Sequence, residues 1–243
     1  MGETEMDLRR VLPAGATLAN VAAGFVACAC VVADRPDLAA LLVLGAVLLD
    51  SLDGALARSL DATSRMGAQL DSLADVVSFG LAPAVLAGSL LPGEGRIVGW
   101  AIIAIYPLCA AWRLARFNVS QDEPAESHDD FAGLPSTGAG GAAATAALVY
   151  LRLAEGNLPL GGPFLPCVMA ALGVLMVSHI AYKHAGSMIA RLNPLLAAFM
   201  AVVFVVGTVF WEYQFLFAGV MWSYVLYAPV ATATQKLRAA RQA

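Results

Sequence analysis

The chain has 243 residues, of which 60% are hydrophobic and 13% charged, with a mean hydropathy of +0.74. Soluble domains carry about 25% charged residues, so this composition excludes a water-soluble globule and predicts an all-α integral membrane protein. The net charge of −4 decides little, because orientation in a bilayer follows where Lys and Arg lie.

The segment 4–12, TEMDLRRVL, reads as a short amphipathic helix lying on the membrane surface. A spanning helix needs about 20 mostly apolar residues. About eight such segments follow, near 16–33, 37–58, 68–91, 97–117, 138–154, 163–181, 194–211 and 213–231. The first begins near Thr17 with no small-residue cleavage site after it, and is read as a retained helix rather than a signal peptide. Turn chemistry separates the runs: DRPD at 34–37, LPGEGR at 91–96, EGNLPLGG at 155–162 and Pro194 after Asn193. The longest polar insert, 118–137, is an acidic loop. Cys28, Cys30, Cys109 and Cys167 all sit in apolar runs and read as buried small hydrophobes, not as a disulfide framework. No repeat and no second domain is visible, so residues 1–243 read as one transmembrane domain.

Charge placement gives an expected orientation. With the N-terminus in the cytoplasm, only Arg35, Arg96 and Arg152 of the 14 basic residues fall outside. The positive-inside rule then predicts both termini in the cytoplasm, in a multi-pass protein of the cell membrane.

Against this background the stretch 50–75, DSLDGALARSLDATSRMGAQLDSLAD, is anomalous. Each helical residue turns about 100°, so Asp50, Asp53, Gly54, Ala57 and Arg58 share one face of the second helix. Gly67, Asp71 and Asp75 step by four along one face of the third. The linker is short, so the two faces look at each other. Four carboxylates there cannot all stay ionised without compensation, since each costs several kcal/mol in low dielectric. Hard divalent cations provide it, being bound by carboxylate oxygens. Gly54, Ala57 and Gly67 leave room for a ligand to press on the backbone, and Arg58 supplies a fixed cation for a phosphate. The pattern describes a metal–diphosphate site at a membrane surface. Asp61 lies off the pattern and reads as a solvated loop residue or a cap. Arg65 reads as either a phosphate ligand or a positive-inside charge.

The spacing D-x2-D-G-x2-A-R-x8-G-x3-D-x3-D resembles the signature of the CDP-alcohol phosphotransferases and holds from Asp50 to Asp75. In that family a CDP-linked lipid gives its phosphatidyl group to an alcohol and CMP leaves. The resemblance implies two divalent cations, Mg2+ or Mn2+. Asp50 and Asp71 would bridge them, Asp53 would complete the first, and Asp75 the second while also acting as general base. Gly54, Ala57, Arg58, Gly67 and Ser64 would hold the CDP group. LPAGATLANVAAGF (12–25) is similar to the family's opening helix, which implies nucleotide contact for Thr17, though an N-cap role for Thr17 also fits. Relatives often carry Asn where Ala14 stands.

VSFGLAPA (77–84), RLARFN (113–118) and FAGLPSTGAGG (131–141) resemble the phosphatidylserine synthase branch. That resemblance implies CDP-diacylglycerol and L-serine as substrates, an acceptor pocket shaped by Arg116, Asn118 and Ser136, and a homodimer. Arg113 and Arg116 also suit a helix end. Two alternatives stay open from the residues alone. One is the same chemistry with glycerol 3-phosphate or inositol phosphate as acceptor, served by Arg113, Arg116, Lys183 and Arg191. The other is an ion or proton transporter using the intramembrane acids. Nothing in the sequence points to a nucleic-acid partner, and the histidines at 128, 179 and 184 make no metal spacing.

Overall fold

A computed structural model describes residues 3–59, 65–121, 133–158, 160–182 and 212–242. Among these the chain is all-α. The helices are α1 (Glu3–Val32), α2 (Pro36–Ser59), α3 (Arg65–Asp75), a π-helical segment (Val76–Leu81), α4 (Ala82–Ser89), α5 (Arg96–Ile103), α6 (Ile105–Gln121), α7 (Ser136–Glu155), α8 (Phe164–Val177) and α9 (Tyr213–Gln242). The segment α3–π–α4 forms one long rod, and α5 and α6 form a second with a turn at Ala104. Seven of the eight expected segments are therefore helical, and the expected helix at 194–211 lies outside the described residues.

Among the described residues, five stretches are long and apolar enough to cross a membrane: Ala14–Val32, Pro36–Ala55, Met66–Ser89, Arg96–Ser120 and Tyr213–Gln235. Large apolar side chains such as Phe25, Leu48, Leu108 and Val174 stand exposed on this bundle. Exposed apolar surface of that extent marks a face for lipid, not water. The protein is a multi-pass membrane protein.

Three boundaries differ from the sequence expectation. Segment 4–12 and the first apolar run form one helix, α1, because Pro13 removes a single N–H without ending the helix. The helix expected at 163–181 stops at Val177. Ser178 turns to extended backbone, and the chain beyond it bonds elsewhere: Gly133 N–H donates to Ile180 O at 2.9 Å, and Leu134 N–H to Leu175 O at 3.0 Å. The final helix runs on to Gln242, past the expected end at 231.

The core is organised by α7. Its run of Ala139, Gly140, Gly141, Ala142, Ala143, Ala144 and Thr145 is buried throughout. Lipid gives no hydrophobic drive between helices, so close backbone approach through small residues supplies the packing. Gly140 lies against Phe79 of the π segment so closely that a Cβ would fall 2.8 Å from its ring. One buried cluster joins α4 to α9 around Tyr106, Leu134, Leu172 and Met176, and a second joins α1 and α2 to α4 and α7 around Val43 and Leu86. At the far end of α7, Arg152 makes a bidentate ion pair with Glu212 at the start of α9.

The π segment is supported by a proline and by a tyrosine from α6. Pro83 has no N–H for the carbonyl four residues back, that of Phe79. The Tyr106 hydroxyl donates to that carbonyl instead, at 2.7 Å, from a fully buried position. π segments commonly mark functional sites, and this one begins at the residue after Asp75.

Candidate metal and acceptor site

The turn at 33–36 sets α1 and α2 antiparallel, with Asp34 in the left-handed conformation and Pro36 at the start of α2. This brings the buried stripe of α1, Thr17, Asn20, Gly24 and Ala27, against α2 and the α3–π–α4 rod. Gly24 touches Ser78, where a Cβ would meet the hydroxyl at 2.5 Å. Ser78 in turn donates to Asn20 O at 2.8 Å.

Near the ends of α2 and α3 the acids converge. Asp50, Asp53 and Asp71 each place a carboxylate oxygen within 4.8 Å of the others. Asp53 is buried, while Asp50 and Asp71 are half-buried. Three oxygen donors from two helices, drawn together despite like charge, form a donor set that suits a hard divalent cation. Two of the three carboxylates have an orienting hydroxyl. Thr17 Oγ1 donates to Asp53 Oδ2 at 3.0 Å, and Thr137 Oγ1 donates to Asp50 Oδ2 at 3.1 Å. Such second-layer bonds fix a ligand's rotamer and tune its basicity.

Asp75 stands apart from that trio, one turn beyond Asp71, with its carboxyl beside that of Asp50. It is 6% exposed. Ser136 Oγ donates to its Oδ2 at 2.7 Å, and its Oδ1 has no hydrogen-bond partner among the described residues. Arg113 Nη1 donates to the same Ser136 oxygen at 3.1 Å. The Arg113–Ser136–Asp75 chain links α6, the start of α7 and the end of α3. It depends on the strap before α7. There Gly133 has φ +96°, and a Cβ at that position would fall 2.2 Å from Met176 O, so only glycine fits.

The other expected site residues are placed as follows. Gly54 and Gly67 lie half-buried on α2 and α3. Ala57 and Arg58 continue α2, with side chains outside the described part, and Ser64 and Asp61 lie outside the described residues. Thr17 is engaged with a metal-site carboxylate, which is a different contact from the nucleotide contact expected of it. Asn118 Oδ1 accepts from Ser72 at 3.1 Å, next to Asp71 in sequence. Arg116 Nη1 donates to Val177 O at 3.5 Å, tying α6 to the end of α8. Lys183 and Arg191 lie outside the described residues.

Sequence reasoning overlooked Thr137 and Asn20 and read Arg113 only as one of several charges. Thr137 follows Ser136 directly, but nothing in GLPST tells which hydroxyl meets which acid. Asn20 is fully buried with both amide atoms unpartnered among the described residues. Its signal was an amide three residues after Thr17 inside an apolar run.

A CDP-alcohol phosphatidyltransferase family model matches residues 10–182, which run from within α1 to the segment after α8. A CDP-diacylglycerol–serine O-phosphatidyltransferase of Mycobacterium tuberculosis is 35% identical over 93% of this chain and 80% of its own length. The enzyme of that description from Bacillus subtilis is 31% identical over 71% of this chain and 90% of its own. An archaetidylserine synthase of Methanothermobacter thermautotrophicus is 34% identical over 73% of this chain and 71% of its own.

Proposed function

The chain belongs to the CDP-alcohol phosphatidyltransferase family, and on that premise we propose that it transfers the phosphatidyl group of CDP-diacylglycerol to L-serine and releases CMP. The observation that carries the reading is the meeting of Asp50, Asp53 and Asp71 beside the Asp75–Ser136–Arg113 chain. A transporter needs acids in the membrane but no such paired arrangement. The relatives' names differ in their lipid, diacylglycerol or archaetidyl, and share serine.

In this reading Asp50, Asp53, Asp71 and Asp75 hold two divalent cations, Mg2+ or Mn2+. When bound, the cations supply neutralisation of the charge that builds on the diphosphate and on departing CMP. Gly54, Ala57, Gly67, Arg58 and Ser64 receive the CDP group. Asp75 takes the proton of the serine hydroxyl as that oxygen bonds to the lipid-bearing phosphorus and the bond to CMP breaks. Ser136 orients the Asp75 carboxylate for that transfer, and Arg116 and Asn118 bound the acceptor pocket. The reading of charge along the chain supports a cytoplasmic site with both termini on that side, and eight spans in all. The family resemblance supports a homodimer.

The test is CMP release from CDP-diacylglycerol by purified protein with L-serine, glycerol 3-phosphate or inositol phosphate. Acceleration by L-serine alone is expected. Acceleration by a phosphorylated acceptor instead would overturn the assignment of acceptor while leaving the chemistry.

A further inference from the structure

We propose that the face of α9 turned away from α7 binds an anionic phospholipid, with an acyl chain along Ser223, Leu226, Tyr227, Val230 and Ala231 and the headgroup phosphate on Arg238. The site is separate from the acids, and its lipid is not the one that reacts.

The direction of α9 places this site. The Arg152–Glu212 pair fixes the start of α9 at the far end of α7. The helix then runs back toward the acids. A Cβ at Gly138 would lie 3.0 Å from the Tyr224 ring, and the Tyr182 hydroxyl donates to Val225 O at 3.0 Å. Val225 and Ala228 are buried on that side. Each helical residue turns about 100°, so Ser223, Leu226, Tyr227, Val230 and Ala231 fall on the opposite side. They line one groove, with Leu226, Tyr227 and Val230 exposed. Ser223 donates its hydroxyl back to Val220 O at 2.8 Å, which leaves the groove an apolar wall. A helix body about 10 Å wide separates the groove from the start of α7 that carries Ser136 and Thr137 to the acids.

Charge and length identify the occupant. From Tyr213 to Gln242 α9 holds no acidic residue, and its cations Lys236, Arg238 and Arg241 all lie past Gln235, where the apolar span ends. Eleven residues make three turns to within about 20°. Arg238 therefore follows Tyr227 on the groove face and Arg241 follows Val230, whereas Lys236 falls on the other side. Arg238 is exposed and makes no ion pair among the described residues. Ser223 and Arg238 are fifteen residues apart, about 22 Å at 1.5 Å per residue. One bilayer leaflet with its headgroups is about 20–22 Å thick. A chain lying in the groove thus brings its own phosphate to Arg238, where a guanidinium makes paired, charge-assisted bonds. A lipid of net negative charge is favoured over a zwitterionic one, whose ammonium offsets the phosphate.

The test is binding of phosphatidylglycerol to the full chain purified in detergent, read by native mass spectrometry and by thermal unfolding. Phosphatidylcholine with the same acyl chains and inorganic phosphate are the comparisons, and neither readout depends on turnover. The wild-type chain should bind phosphatidylglycerol more tightly than phosphatidylcholine and gain more unfolding temperature from it. Arg238→Gln should weaken phosphatidylglycerol binding about fivefold, the share of one cation at a lipid surface, and adding Arg241→Gln should weaken it about fivefold again. Lys236→Gln loses the same charge on the other side of α9 and should leave binding within about twofold of wild type. Ala231→Trp fills the groove while keeping every cation and should weaken both lipids. Equal binding of the two lipids, or equal loss in Lys236→Gln and Arg238→Gln, would reduce the cations to general surface charge and overturn the proposal. Equal stabilisation by inorganic phosphate would assign Arg238 to a free anion, and unchanged binding in Ala231→Trp would remove the groove; either result also overturns it.

Discussion

At the scale of single residues the proposed reading gives the four aspartates two jobs, and two substitutions test them. Asp75→Asn keeps the acceptor oxygen for Ser136 but removes the proposed base and one anionic metal ligand, and loss of a positioned base alone typically costs about 10²–10⁴-fold in kcat. CDP-diacylglycerol affinity should survive better, because Asp50, Asp53 and Asp71 remain together. Thr17→Val acts on the other job. It deletes the hydroxyl that orients Asp53 and should weaken metal binding by about 10- to 100-fold, the usual effect of losing an outer-layer partner. At saturating metal its turnover should be close to normal. Metal titrations of turnover on both variants check this, and a Thr17→Val chain with unchanged metal affinity would remove that hydroxyl from the metal site. The aspartates themselves were legible in the sequence, because charge in an apolar run is costly and helical spacing assigns each acid to a face. Their partners were not. Thr17, Thr137 and Ser136 are common residue types in helix starts and loops, and only the crossing of α1, α2 and α7 says which acid each one meets.

At the scale of elements the site hangs on two supports that bracket it. The strap at 133–135 carries Ser136 and Thr137 to the acids, and Gly133 is the point where it passes the end of α8. Gly133→Ala combines a left-handed residue, costing roughly 1–2 kcal/mol, with a clash on Met176 O. The unfolding temperature should fall by at least about 2–4 °C, and kcat should drop with it as Ser136 moves. Gly219→Ala is the control, because a Cβ at Gly219 meets nothing within 4 Å. Equal unfolding temperatures for the two variants would dispose of the strap argument. The other support is the π segment after Asp75. Tyr106→Phe leaves the Phe79 carbonyl without its donor, an expected cost of about 1–3 kcal/mol. Helix positions were legible from apolar length and turn residues. The π segment was not, because its support lies in Pro83 combined with a tyrosine on another helix. The early end of α8 was equally hidden, since residues 178–181 hold no glycine or proline to stop a helix and are drawn off by the bond from Gly133 to Ile180.

At the scale of the molecule, removing divalent metal with excess EDTA should abolish turnover, with recovery on adding Mg2+ or Mn2+; full turnover in EDTA would refute the two-metal reading. Orientation is the larger question, and the site's position makes it decisive. Asp53 lies at the end of the Pro36–Ala55 span, and Asp71 lies early in Met66–Ser89. The acids therefore sit at one boundary of the bilayer, where a water-soluble nucleotide head and buried acyl chains can both be accommodated. The turn at 92–95 and residue Asn157 belong to the opposite boundary, since each follows a rod that starts on the acid side. Arg96 and Arg152 are there, whereas Arg113, Arg116 and Arg65 lie toward the acids, and positive charge favours the cytoplasm. Single cysteines placed at Glu94 and at Ser120, in a chain freed of its native cysteines, should then differ in intact cells. A membrane-impermeant maleimide should label the Glu94→Cys variant from outside and reach the Ser120→Cys variant only after permeabilisation. The reverse pattern would put the acids on the outer face, away from a cytoplasmic supply of CDP-lipid, and would overturn the proposed placement of the site.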